Sequence, residues 1–260
     1  MKKALLIGID YVNIPSISLR GCINDIINVR NMLIDAYDYD SKNIIIIRDD
    51  DPRKFPLPTR KTIMDNLHEL SKDSENLEEI WLHYSGHGSQ LQHHNSDVSI
   101  KERDGLNEIL VPIDYETEGF ILDYELLDII KHIKCKAILV FDCCHSGTIC
   151  DLPWMLEVDS SNNIIKTNMN DTIIDNKEIF VLSGCKDTQA SADTNNNFDQ
   201  SIGAFSNALL ECLRDSHHNI ELVTLYKNVC YYLSEKGYSQ SPILSSTNEN
   251  PVYLFKRNNI

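Results

Sequence analysis

Five short aliphatic runs, each free of charge at its centre, set the strongest limit on what this chain can fold into. They are ALLIGID (4–10), NIIIIRD (43–49), EIWLHYS (79–85), KAILVFD (136–142) and EIFVLSG (178–184). Unbroken hydrophobicity over so few residues marks strands buried on both faces. Stretches of helical periodicity lie between and after them, at 23–36, 60–72, 123–133, 203–216 and 224–237. Strands alternating with helices give an α/β fold, with a mostly parallel sheet and helices on both faces. Thr59 is a good N-cap for the second helix, and Asp123 is a candidate cap for the third. A sixth strand is expected at PVYLF (251–255). Two polar stretches without periodicity, 88–107 and 159–177, follow strand ends and read as long loops, which are more often functional than accidental.

The chain has 260 residues, enough for one α/β domain with a large core. No run reaches the roughly 18–20 apolar residues of a membrane span. The opening MKKALLIGIDY resembles a signal peptide, but Asp10 interrupts it and no small-residue cleavage site follows. Eight cysteines, several inside apolar segments, read as free thiols in a reducing cytoplasm. A net charge of −15 argues against nucleic-acid and anionic-membrane partners.

In open α/β sheets the chemistry gathers beyond the carboxyl ends of the strands. The first strand leads to Gly21-Cys22-Ile23-Asn24-Asp25. The third ends in His83-Tyr84-Ser85-Gly86-His87-Gly88, and the fourth in Asp142-Cys143-Cys144-His145-Ser146-Gly147. A thiol near pKa 8.5 is only a few per cent thiolate at neutral pH. A neighbouring imidazole can take its proton and later donate one to a leaving amine. Backbone N–H groups must meet the oxyanion, and glycine permits that approach. His87 precedes Cys144 by 57 positions, close to the spacing of about 50 in caspases. Neighbours in an extended segment face opposite ways, so one of Cys143 and Cys144 packs inward while the other can face the cleft; Cys143 is read as core or a backup thiol. His145 sits too close to the nucleophile for good imidazole geometry, which favours His87.

Other chemistries lack their signatures. A cysteine phosphatase needs Cys-x5-Arg, but Cys150 stands at that place. Neither a Gly-x-Ser-x-Gly elbow nor a Gly-rich turn after the first strand is present, and Cys143, Cys144 and His145 have no spaced partner pair for zinc.

HYSGHG (83–88) together with DCCHSG (142–147) resembles the paired signature of metacaspases. GCINDI, VPIDYETEG, SGCKDTQASAD and YSQSPILSS extend the resemblance over nearly the whole chain. It implies a single caspase-like domain, a sandwich of helices around a six-stranded sheet. The large-subunit-like region would span about 1–158 and the small-subunit-like region about 178–260. It implies a cysteine endopeptidase with His87 and Cys144 as the catalytic pair and the Gly88 and Cys144 amides as oxyanion hole. Asp25 and Asp142, walled by Cys22 and Ser85, would form an acidic pocket for Arg or Lys at P1. Protein or peptide substrates with basic P1 residues, a monomeric state and calcium activation are further implications. The ion's ligands would be Asp104, Asn107, Glu108 and Asp151, with Asn107 standing where the family carries an acid. The chain resembles type I members without their Pro- or Gln-rich leader. The interval 145–178 has room for little more than a hairpin (LEVDSSNNIIKTN), with Lys166 preferred over Lys177 for self-cleavage. The rival reading is a non-catalytic caspase-like scaffold or regulator of proteolysis, against which the presence of both His87 and Cys144 argues.

Overall fold

The computed structural model describes residues 1–92, 106–144, 146–185, 193–195 and 201–257. The elements run β1 (Lys2–Gly8), α1 (Cys22–Tyr37), β2 (Ile44–Arg48), α2 (Arg60–Asp73), β3 (Glu79–Ser85), β4 (Gly88–Gln92) and β5 (Leu106–Leu110). Then follow the single turn α3 (Tyr115–Glu118), β6 (Ile121–Leu122), α4 (Asp123–Ile130), β7 (Lys136–Asp142), β8 (Trp154–Val158), β9 (Ile164–Asn168) and β10 (Ile179–Ser183). The last part holds β11 (Asp193–Asn195), β12 (Ser201–Gly203), α5 (Ala204–Asp215), β13 (Asn219–Glu221), α6 (Leu222–Glu235), β14 (Ile243–Ser246) and β15 (Leu254–Lys256).

The five aliphatic runs are the five parallel strands of the central sheet, whose order is β2-β1-β3-β7-β10-β14-β8-β9. Their period of two divides the core. Ala4, Leu6, Trp81, Ile138, Val140, Phe180 and Leu182 pack on one side with α1, α5 and α6. Leu5, Ile7, Leu82, Tyr84, Leu139, Phe141 and Val181 pack on the other with α2 and α4. Thr59 caps α2 by accepting from Thr62 N–H at 3.2 Å. Asp123 is the first helical residue of α4 and not its cap; Leu122 holds the cap position, and its N–H donates to Glu125 at 3.1 Å.

Among the described residues the sheet has eight strands where six were expected. The hairpin β8–β9 adds itself to β14, antiparallel throughout. It falls partly in the polar stretch 159–177, which is therefore not one long loop. The sixth strand is also elsewhere. Ile243–Ser246 pairs antiparallel with β10, whereas β15 pairs with β13 in a separate two-stranded ribbon. Alternation explains the difference. In β15 Phe255 is buried while Leu254 is 55% exposed, and Val252 just before it is 81% exposed. In β14 all four residues, Ser245 and Ser246 included, are buried.

Register positions the chemistry. Gly8 pairs with Ser85, and Ser85 with Asp142, in one row at the carboxyl edge of the sheet. His87 lies two residues beyond Ser85, and Cys144 two residues beyond Asp142.

Candidate active site

The glycine that opens β4 fixes how closely the histidine and cysteine loops meet. A Cβ on Gly88 would lie 2.2 Å from the Cys144 carbonyl oxygen and 3.0 Å from the Cys143 Sγ. Only glycine admits that approach. It brings the Gly88 backbone against Cys144, the two residues expected to supply the oxyanion donors. Gly86 N–H reaches the Asp142 carbonyl at 3.4 Å and joins the same loops one turn earlier.

The adjacent cysteines divide as their alternation requires. Cys143 is 1% exposed, and burial pushes its thiol well above the ordinary range. Its carbonyl accepts from Ser146 Oγ at 2.9 Å and from Cys185 Sγ at 3.4 Å, which holds the loop rigid. Cys144 is half-buried and can meet a substrate. His145 lies outside the described residues.

His87 is gripped on three sides by the loop after β1. Its Nε2 donates to the Ile17 carbonyl at 2.7 Å. A neutral imidazole bonded in this way keeps its Nδ1 as the basic nitrogen. Its backbone N–H donates to Tyr11 Oη at 3.0 Å, and the two rings pack with centroids 4.8 Å apart. Tyr11 Oη in turn donates to the Val111 carbonyl at 2.6 Å. Tyr11 sits at φ 52°, a conformation costly for a bulky side chain and held here by its surroundings. Asp49 secures the loop by accepting from Asp10 N–H at 3.0 Å and Val12 N–H at 2.9 Å. Asp10, its carboxyl raised by burial, accepts from Cys22 N–H at 3.0 Å and ties the loop to α1. Sequence reading found neither Tyr11 nor Ile17; a carbonyl carries no side-chain signal, and a tyrosine after a strand reads as core.

The four residues expected around an acidic pocket come together. Asp25 Oδ2 accepts from Ser85 Oγ at 2.5 Å, and Asp25 Oδ1 from Gly203 N–H at 2.9 Å. Asp142 Oδ2 accepts from Ser206 N–H at 2.8 Å. The Cys22 thiol is pushed up by burial first, then by the charges of Asp25 and Asp10. Both carboxylates are buried. His83 backs this network. It is fully buried, its Nε2 lies 3.2 Å from Ser206 Oγ, its Nδ1 has no hydrogen-bond partner among the described residues, and burial depresses its pKa to about 3.

The residues expected to hold calcium are gathered only in part. Asp104 lies outside the described residues. Glu108 is buried, its two oxygens accepting from Gln90 Nε2 at 3.0 Å and Thr148 Oγ1 at 2.9 Å. Asp151 N–H donates to the Thr148 carbonyl at 2.7 Å. Asp123, a candidate helix cap by its sequence position, accepts from Glu108 N–H at 2.7 Å; burial and the Asp151 charge push its pKa up, to about 7. An all-oxygen donor set suits a hard cation. Among the described residues, however, no group of three or more such side chains has metal-holding geometry. The described residues carry only part of the expected ligand set, and calcium supplies no step below.

Among the described residues no helix is long and apolar enough to cross a membrane, and all eight cysteines are free thiols.

Comparison with known proteins places this geometry. Residues 2–153 match the family model described as metacaspase, peptidase C14 domain. Metacaspase-1 of Saccharomyces cerevisiae is 31% identical over 97% of this chain and 68% of its own. Metacaspase-1 of Candida albicans is 33% identical over 95% and 65%, and that of Schizosaccharomyces pombe 32% over 94% and 67%. The chain thus spans about two thirds of the length of these relatives. Two crystal structures share the fold. A Geobacter sulfurreducens protein matches with a TM-score of 0.60 at 18% identity, covering 96% of this chain and 94% of its own. Caspase-1 from Spodoptera frugiperda matches with a TM-score of 0.54 at 14% identity, covering 99% and 92%. With a cysteine and a histidine loop meeting at Gly88 on a caspase-like sheet, and with these relatives, the chain belongs to the metacaspase family of cysteine-type endopeptidases.

Proposed function

We propose that the protein cleaves peptide bonds after Arg or Lys, with Cys144 as nucleophile and His87 as its acid–base partner. The observation that carries the specificity is the pair of buried carboxylates, Asp25 and Asp142, converging beside the Cys144 loop. Such a pair matches a guanidinium in charge and fork geometry, and an ammonium in charge. A P1 aspartate would meet like charge there.

In this mechanism His87 Nδ1 takes the Cys144 proton, while the Nε2–H bond to Ile17 holds the ring in place. The thiolate attacks the scissile carbonyl carbon. The carbonyl oxygen becomes an oxyanion facing the Gly88 and Cys144 amides. Collapse of that intermediate expels the amine, which leaves with the proton His87 carries. Water then attacks the thioester, His87 again serving as base, and the thiol is restored.

One chain arranged as a large-subunit-like and a small-subunit-like region would suffice for this work. A monomer fits the sheet, because β8–β9 occupies the edge of β14. Free thiols fit a reducing, cytoplasmic setting. Fluorogenic peptides with Arg, Lys or Asp at P1, each with calcium or chelator, test the reading. Turnover of Arg and Lys peptides and none of Asp peptides is expected. Asp25→Ala should cut Arg-peptide turnover at least about tenfold, since losing one partner of a buried charge pair costs about 2–5 kcal/mol. Efficient cleavage after Asp by the native protein would refute the specificity.

A further inference from the structure

The two carboxylates of the pocket are held by a corner of backbone that none of the sequence motifs marks. Gly203 ends β12 and caps α5 with φ −62° and ψ 137°, an extended conformation open to any residue. Glycine is needed there for space alone. A Cβ on Gly203 would lie 2.2 Å from Asp142 Oδ2 and 3.0 Å from Asp25 Oδ2. Two oxygens so near one point are at most about 5 Å apart, close enough for like charges to oppose each other strongly.

The same corner supplies what offsets that repulsion. Gly203 N–H donates to Asp25, and Ser206 N–H, in the first turn of α5, donates to Asp142. Asp142 thereby caps α5 from the neighbouring sheet and sits at the positive end of a 12-residue helix. On the far side, Asn24 Nδ2 donates to the Ser201 carbonyl at 2.8 Å, and a Cβ on Gly21 would lie 2.9 Å from the Ile202 Cα. β12 is thus fastened to the start of α1 on one side and to α5 on the other.

We propose that Gly203 and the first turn of α5 determine P1 specificity. They form the third wall of the pocket and set the spacing of Asp25 and Asp142 for one guanidinium or ammonium. This rests on the basic-P1 reading above. The ideal Cβ position of Gly203 overlaps Asp142 Oδ2, so any larger residue must push one carboxylate out of line.

Gly203→Ala tests it in three measurements. Arg-peptide kcat/KM should fall at least about a hundredfold, the scale of an ångström-sized misplacement. The rate of Cys144 alkylation by iodoacetamide should stay within about threefold, because the change lies in the pocket and not at the thiol. Competitive inhibition by benzamidine, a bare amidinium probe, should weaken at least about tenfold, one decade of affinity. If native protein cleaves after Arg and Gly203→Ala does so equally well, the role of Gly203 is refuted while the basic-P1 reading stands. If native protein does not cleave after basic residues, both fail together. Should the variant not fold, hydrogen exchange on the native protein decides. Competitive benzamidine should slow exchange of the Gly203 and Ser206 amides, and unchanged exchange across 201–206 would overturn the assignment.

Discussion

Tyr11→Phe removes one oxygen atom and tests whether the loop after β1 positions His87, the proposed base. That oxygen accepts from His87 N–H at 3.0 Å and donates to the Val111 carbonyl at 2.6 Å. Tyr11 is fully buried, so water does not readily replace either bond. A buried polar group left unsatisfied costs about 1–3 kcal/mol. Two such groups predict a stability loss of about 2–4 kcal/mol, after allowing for relaxation through the nearby Tyr84 hydroxyl. Tyr84 Oη already donates to the His87 carbonyl at 2.8 Å and lies 3.5 Å from the Tyr11 hydroxyl. The loss should appear in urea denaturation as a lower midpoint with an unchanged slope. The catalytic effect is separate. If freeing the His87 amide displaces the imidazole, kcat should fall about 10–100-fold with KM little changed, because positioning acts on the reacting geometry. The pH profile of Cys144 alkylation should shift as well, a response that loss of stability alone does not give. A variant that is destabilised but has native kcat and a native alkylation profile would refute the positioning role and leave Tyr11 as core.

Three further outcomes follow from the same geometry. Cys144→Ala should abolish peptide hydrolysis while Cys143→Ser leaves most of it; loss of activity in a folded Cys143 variant alone would reverse the assignment. His83 should make the fold acid-sensitive. Its folded pKa of about 3 lies below the unfolded value near 6.5, so its contribution is whole above pH 6.5 and is lost as pH falls toward 3. Between pH 7 and 5 that loss is about 2 kcal/mol; urea titrations should show it in the native protein and not in His83→Leu, and parallel slopes in the two would contradict it. Self-cleavage within 159–177, if the protein cuts itself there, should fall after Lys177. Both lysines are exposed, but Lys166 is paired with Leu156 inside the β8–β9 ladder, whereas Lys177 lies outside any strand. Mass spectrometry finding the Lys166 site first would show that the ladder opens more readily than its pairing implies.

The chain's local chemistry was legible wherever one signal sufficed. Uncharged aliphatic runs specified five strands because both sheet faces are covered, only partly so in β2 at the edge, and cover on both faces leaves no polar alternation to confuse. His87 and Cys144 could be proposed as a pair from sequence because a nucleophilic thiol needs a base, and glycine-flanked loops at adjacent strand ends can supply one. That Cys143 and Cys144 face opposite ways followed from the period of two, and only the fold shows that Cys143 is the buried one. The edge of the sheet was not legible. ILSS reads as half polar, yet tertiary packing buries both serines, while the more apolar PVYLF alternates and serves a surface ribbon. Local hydrophobicity cannot say which strand a sheet will recruit, because pairing is decided by register and by what covers each face. The contacts that tune the site lay furthest from view. The Ile17 carbonyl, the Tyr11 hydroxyl and the Gly203 amide act through backbone atoms or single oxygens, brought in from segments up to 178 positions away. Such groups exist in every sequence, and only the folded chain selects which of them face His87, Asp25 and Asp142.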